Sequence, residues 1–265
     1  MKPSNQHILE TLIINKDYIE FKITPKSFYE LRKIIEDRYD KLGPGTKRNP
    51  IDFNDIDVSK IDSFYSSITG IGIFEETKFK YIDISDWNVS NVTDMNHMFY
   101  GCKNLESVGD ISKWDVSNVR FMPFMFSECK KFNQDLSSWN VSNVTNMAFM
   151  FIACHSLNHN LSNWDVSKVT NMASMFCSCK KFNQDISSWD VSNVNNMSFM
   201  FENCKSFNKN ISSWDVSSVT DMSYMFYDCE KFNQDLSDWN VSNVRQKDHM
   251  FYICPIKNEY KPKFK

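Results

Sequence analysis

FNQDLSSWNVSNVTNMAFMFIAC, residues 132–154, decides the fold, because the chain repeats it. All seven tryptophans obey its beat: Trp87, Trp114, Trp139, Trp164, Trp189, Trp214 and Trp239, spaced 27 and then 25 residues. Fifteen residues after each stands a cysteine, from Cys102 to Cys254, and only Cys177 falls outside the register. Methionine pairs such as Met147/Met150 and Met172/Met175 keep the same phase. A period of 25 with apolar residues at fixed places predicts a solenoid whose units bury their faces only by stacking.

Within the unit, Val144, Met147, Met150, Phe151 and Cys154 take the spacing of one face of a short helix, with Asn143 or Ser142 as its N-cap. Leu136, Trp139 and Val141 show the two-residue alternation of a short strand, with Gln134–Ser137 as a second candidate. The expected fold is therefore an α/β repeat solenoid. It is a right-handed, leucine-rich-repeat-like coil of short parallel strands and short helices, with a parallel β-helix as the rival architecture.

The repeat FNQDLSSWNVSNVTNMAFMF resembles the BspA-like leucine-rich repeat, the 25-residue repeat of mollicute lipoproteins and bacterial surface proteins. The likeness extends over residues 54–254. It implies a leucine-rich-repeat-like solenoid and a role in surface attachment or protein binding. It brings no catalytic residues.

The ends read as caps. Residues 1–53 form an N-terminal cap containing a strand over Tyr18–Ile23 and an amphipathic helix over 24–43, capped by Thr24 and stopped by Gly43-Pro44. Phe28, Leu31, Ile35, Tyr39 and Leu42 make the helix's apolar stripe. Residues 54–254 hold about eight repeats, the first degenerate with Ile56 in the tryptophan place, and residues 255–265 form a basic tail.

Chemistry is thinly represented. The net charge of −3 does not suit a nucleic-acid surface, and no apolar run reaches the roughly 18 residues of a membrane helix. The amino terminus lacks the pattern of a signal peptide, so an intracellular, cytoplasmic protein is expected. The cysteines lie one unit apart in a line that cannot close a tetrahedral metal site, and they read as a buried thiol row. Asn133, Asn158, Asn183, Asn208 and Asn233 share one phase and read as an amide ladder. Asp135, Asp185 and Asp235 raise Ca²⁺ as an alternative, but His159-Asn160 and Lys209-Asn210 interrupt them. We expect no catalytic residue, cofactor or metal, because a residue present in every unit serves stacking whereas an active site is single.

Positions that vary between units are the candidates for function. Ten residues after each tryptophan stand His97, Phe124, Phe149, Ser174, Phe199, Tyr224 and His249, a place that a helix would turn toward solvent. Phe124, Phe149, Phe199 and Tyr224 are the candidate anchors for a partner, and Lys130, Lys131, Lys180 and Lys181 form a basic row beside them. The function expected is a non-enzymatic protein-interaction scaffold, monomeric and with a protein partner. A structural or surface-adhesion protein is the alternative.

Overall fold

The computed structural model describes residues 22–264. Most of the strand expected over Tyr18–Ile23 lies outside the described residues; Ile23 makes a single parallel bridge to Ile56. The N-terminal helix, α1, runs Phe28–Leu42. Ser27, not Thr24, caps it, its hydroxyl accepting from the Glu30 N–H. Leu31 and Ile35 are buried on the stack that follows. Leu42 is exposed, against the expected stripe, because Gly43 at φ +74° ends the helix there. Strand β1 (Ile51–Asp52) pairs parallel with β4 (Ile82–Asp83), and β2 (Tyr65–Ser66) pairs antiparallel with β3 (Ile71–Gly72). That hairpin fits the extra length of the first, degenerate unit, where Val58 precedes Val89 by 31 residues rather than 25.

Beyond it the expected short helices and strands are replaced by corners. In the unit around Trp139, backbone i→i+3 bonds close turns at Trp139 N→Leu136 O, Val144 N→Val141 O, Met150 N→Met147 O and Cys154 N→Phe151 O, 2.9–3.2 Å. A helix cannot form over 144–154 because Phe149 and Ala153 lie at φ +61° and +57°. These are the third residues of turns with the type II sign pattern. An i→i+3 turn also carries every third residue to the same side, so Val144, Met147 and Met150, and then Phe151 and Cys154, point inward without helical winding. Asn143 caps no helix; its amide donates to Ser117 O in the preceding unit, 2.8 Å.

Successive units bond forward along the Met-x-x-Met-Phe segment and backward just before it, where the Thr145 N–H donates to Arg120 O of the preceding unit at 2.9 Å. Met147, Phe149, Phe151 and Ala153 donate their N–H groups to Asn171, Ala173, Met175 and Cys177 carbonyls of the next unit, at 2.8–3.1 Å. The pattern recurs from unit to unit. Parallel single-residue bridges link Asp94, Phe121, Asn146, Asn171, Asn196, Asp221 and Gln246 in order. Alternate peptide planes thus bond between units, while the planes between them are spent on the turns.

The repeated side chains satisfy what the backbone leaves over. Each tryptophan indole N–H donates to a carbonyl 28–34 residues earlier, as Trp164 does to Leu136 O and Trp189 to Leu161 O, both 2.9 Å. Each in-register thiol donates to a phenylalanine carbonyl, Cys179 to Phe151 O at 2.9 Å. Asn133, Asn158, Asn183 and Asn208 accept the backbone N–H of the next asparagine of the row, 2.8–3.0 Å. Between these ladders runs a column of buried rings, Phe99, Phe126, Phe151, Phe176, Phe201 and Phe226, with centroids 5.3–5.8 Å apart.

The two ends are finished differently. At the first unit the carbonyls that would meet a preceding unit are those of Ile73 and Glu75, and α1 brings Arg32 to them. Its guanidinium donates to Gly72 O at 2.6 Å, Ile73 O at 3.4 Å and Glu75 O at 3.3 Å. At the last unit the tail covers one side, through Leu236 N→Tyr260 O, Lys257 N→Asn233 Oδ1 and the buried Ile256 and Pro262. The N–H groups of Lys247, His249, Phe251 and Ile253, which in other units bond forward, have no acceptor among the described residues. No described helix is long and apolar enough to cross a membrane.

Candidate functional site

The place ten residues after each tryptophan is the third residue of the Met-x-x-Met turn, held at φ +54° to +61° in every unit from His97 to His249. Positive φ throws the side chain off the turn, at a strain of about 1–2 kcal/mol for a non-glycine residue. The rings so presented are neither free in solvent nor packed on the core. They lie half-buried against each other. Phe124 and Phe149 stack at 4.5 Å with planes 4° apart, and Phe199 and Tyr224 at 4.7 Å and 4°. His97 extends the first pair at 4.6 Å and Tyr65 stacks on His97 at 5.6 Å, while His249 extends the second pair at 5.0 Å. The expectation of a helix face turned fully to solvent is corrected accordingly: the four anchors form two stacked pairs, each with an exposed edge. Stacked pairs contribute about 0.5–1.5 kcal/mol each beyond burial, which offsets part of the backbone strain.

Between the pairs stands Ser174. Its backbone repeats its neighbours, with φ +55° and the bond Ser174 N→Ser198 O at 2.8 Å, but it has no ring.

A groove of about 510 Å³ runs beside the first pair. Phe124, Phe149, Ile152 and Ala153 form its apolar side, and Lys130, Lys180 and His155 reach it from the following turn. Lys130, Lys131, Lys180 and Lys181 are all exposed, but they are not equivalent. Lys131 turns away to Glu106 at 3.3 Å. Lys181 is outside the groove. Lys130 and Lys180 line it and have no ion-pair partner among the described residues. The carboxylates nearby are engaged, Glu128 with Lys103 at 3.2 Å and Glu202 with the Cys177 thiol at 3.2 Å. Burial and then the Lys180 and Lys130 charges hold the His155 imidazole below its ordinary pKa.

Residues that the sequence did not place at this site are Tyr65, Tyr100, Ile152, Cys177 and Ser178. Tyr65 sits in the irregular first unit, and the others occupy variable positions whose facing depends on the turn. Cys177 offers no nucleophile: burial first, and then Glu202, push its thiol up to about 12. Burial likewise raises the pKa values of Cys129, Cys154, Cys179, Cys204 and Cys229. Asp135, Asp185 and Asp235 accept the backbone N–H of Ser137, Ser187 and Ser237 at 2.9–3.0 Å, so these carboxylates serve as local turn caps.

A family model described as Mycoplasma protein of unknown function, DUF285, matches residues 70–176 and again residues 153–263. The two matches together span well over half of the chain and overlap within the repeat. No curated protein matches it.

Proposed function

We propose that the chain, which belongs to the DUF285 family of Mycoplasma proteins of unknown function, is a non-enzymatic scaffold that binds a protein partner along its outer aromatic column. The observation that carries the reading is the pair of stacked ring sets, Phe124/Phe149 and Phe199/Tyr224, kept at the surface by a strained backbone. Rings serving only packing would gain more by facing the core, and half-exposed aromatics are the residues that anchor interfaces. On this reading the units form a right-handed solenoid of the BspA-like leucine-rich-repeat kind. Support comes from the 25-residue phase and the parallel bridges between units, with handedness following from the rule for parallel crossovers. The chain acts as a monomer and uses no cofactor, metal or nucleic acid.

The test is affinity capture from cell lysate with two baits, the wild type and a variant changing Phe124, Phe149, Phe199 and Tyr224 to Ser. Both must give the same folded circular-dichroism spectrum. A protein retained by the first and lost from the second supports the scaffold. Identical captures would sink it and leave the rings as packing.

A further inference from the structure

Ser174 interrupts a column that is otherwise continuous from Tyr65 to His249. Units stack at about 4.8 Å, so the Phe149 and Phe199 rings stand about 9.5 Å apart across it, twice the spacing of a stacked pair. The gap has not collapsed. Phe149 keeps its 4.5 Å, 4° stack on Phe124, and Phe199 keeps its 4.7 Å, 4° stack on Tyr224. The inter-unit bonds on either side, Phe149 N→Ala173 O and Ser174 N→Ser198 O, are both 2.8 Å. The floor is small and polar: Ser174 is 5% exposed. No buried polar side-chain atom among the described residues lacks a hydrogen-bond partner. The Ser174 hydroxyl, which bonds to no described residue, is therefore one that still meets solvent. What is missing is one planar ring.

We infer that the Phe149–Ser174–Phe199 gap is a slot for a single aromatic side chain of an acidic peptide segment, whose ring completes the column while its flanking carboxylates meet Lys130 and Lys180. Shape selects the ring, because two parallel faces a double step apart accept a planar group and leave voids around a branched aliphatic one. Charge selects the flanks. The groove adjoins the slot at Phe149 and at Cys177, whose N–H bonds to Ser174 O at 3.1 Å. Lys130 and Lys180 are the two groove cations not engaged by a carboxylate. The inference rests on the scaffold reading and specifies the chemistry of its partner.

The test uses the full chain and a synthetic Asp-Glu-Tyr-Glu-Asp peptide, titrated by calorimetry and by NMR of the peptide's ring protons. The wild type and Ser174→Ala are expected to bind, with the tyrosine ring signals moved upfield by the flanking rings. Replacing the peptide's tyrosine by leucine is expected to weaken binding roughly three- to tenfold. Ser174→Phe supplies the missing ring from within and is expected to weaken binding at least tenfold while leaving the melting temperature equal or higher. Absence of binding to the wild type overturns the inference, as does binding without ring-current shifts or undiminished binding to a folded Ser174→Phe. Should Ser174→Phe not fold, the ring shifts and the tyrosine-to-leucine comparison decide. Lysate capture that still depends on Phe124 and Tyr224 while the peptide fails would refute the slot and spare the scaffold. Loss of that dependence with the peptide still bound would refute the scaffold and spare the slot.

Discussion

Alanine-to-glycine substitutions at Ala153 and Ala173 test the turn geometry directly. The covalent change is the same, so the entropy added to the unfolded chain, about 0.5–1 kcal/mol, is the same at both sites. The folded backbones differ. Ala153 lies at φ +57°, where a β-carbon is strained by about 1–2 kcal/mol, while Ala173 is not among the residues of positive φ. Glycine already occupies the Ala153 phase in the first full unit, as Gly101 at φ +70°. At Ala173 the substitution also removes a buried methyl group, worth about 0.8 kcal/mol. Ala153→Gly is therefore expected to stabilise the chain slightly or leave it unchanged, and Ala173→Gly to destabilise it by about 1.5 kcal/mol. The difference of about 2 kcal/mol amounts to roughly 4–8 °C in melting temperature for a chain of this size. Urea titrations followed by circular dichroism measure it, with the slopes compared so that a change in the unfolded ensemble is seen. Equal losses at the two sites would refute the left-handed turn.

Further outcomes follow from the ladders and the caps. Arg32→Ala leaves the Ile73 and Glu75 carbonyls without their fork of donors and should lower stability by about 1.5–3 kcal/mol. Arg32→Lys should recover little of it, because a single ammonium cannot span both carbonyls; full recovery in a melt would refute this. Trp189→Phe keeps most of the ring but removes the indole N–H from Leu161 O. It is expected to cost about 1–3 kcal/mol in denaturant titration, and an unchanged midpoint would count against the indole ladder. Burial holds the His97 and His155 imidazoles below the usual 6.5. The unfolded chain therefore takes up protons first as pH falls, and stability should decline from about pH 6.5 downward to the lower folded values. A flat melting temperature between pH 7 and pH 5 in the wild type, unchanged by His155→Gln, would contradict this.

The sequence displays which residues are inside more clearly than how the chain turns. Trp139, Val144, Met147, Met150 and Cys154 are all buried in the structure, and their phase can be read from spacing alone. Their spacing of three misleads on conformation, since a helix face and a run of i→i+3 turns both place every third residue on one side. The deciding fact is the positive φ of Phe149 and Ala153. Neither residue type advertises it; only Gly101, Asn203 and Asp228 at the Ala153 phase are of types that favour it. For the same reason the rings at 124, 149, 199 and 224 could be picked out as a row, but not as stacked pairs. Ser174 read as one variable position among seven until the column gave its gap a dimension. Arg32 is invisible as a cap in the sequence, because nothing in the helix pattern ties it to carbonyls 40 residues further on.

The forward sense of the inter-unit bonds gives the array a direction. Along the Met-x-x-Met-Phe segment each unit offers N–H donors toward its successor, while beside it the Thr170 N–H, the tryptophan indole and the thiol donate to the predecessor, so its two faces are complementary rather than alike. Growth of the array is simple, since every junction repeats one bonding pattern and a 25-residue duplication slots in without retuning its neighbours. Length is thus cheap for a gene to vary, and polarity is not. Arg32 stands where an extra unit's donors would otherwise arrive, so the helix that begins the array also prevents it from being extended backward.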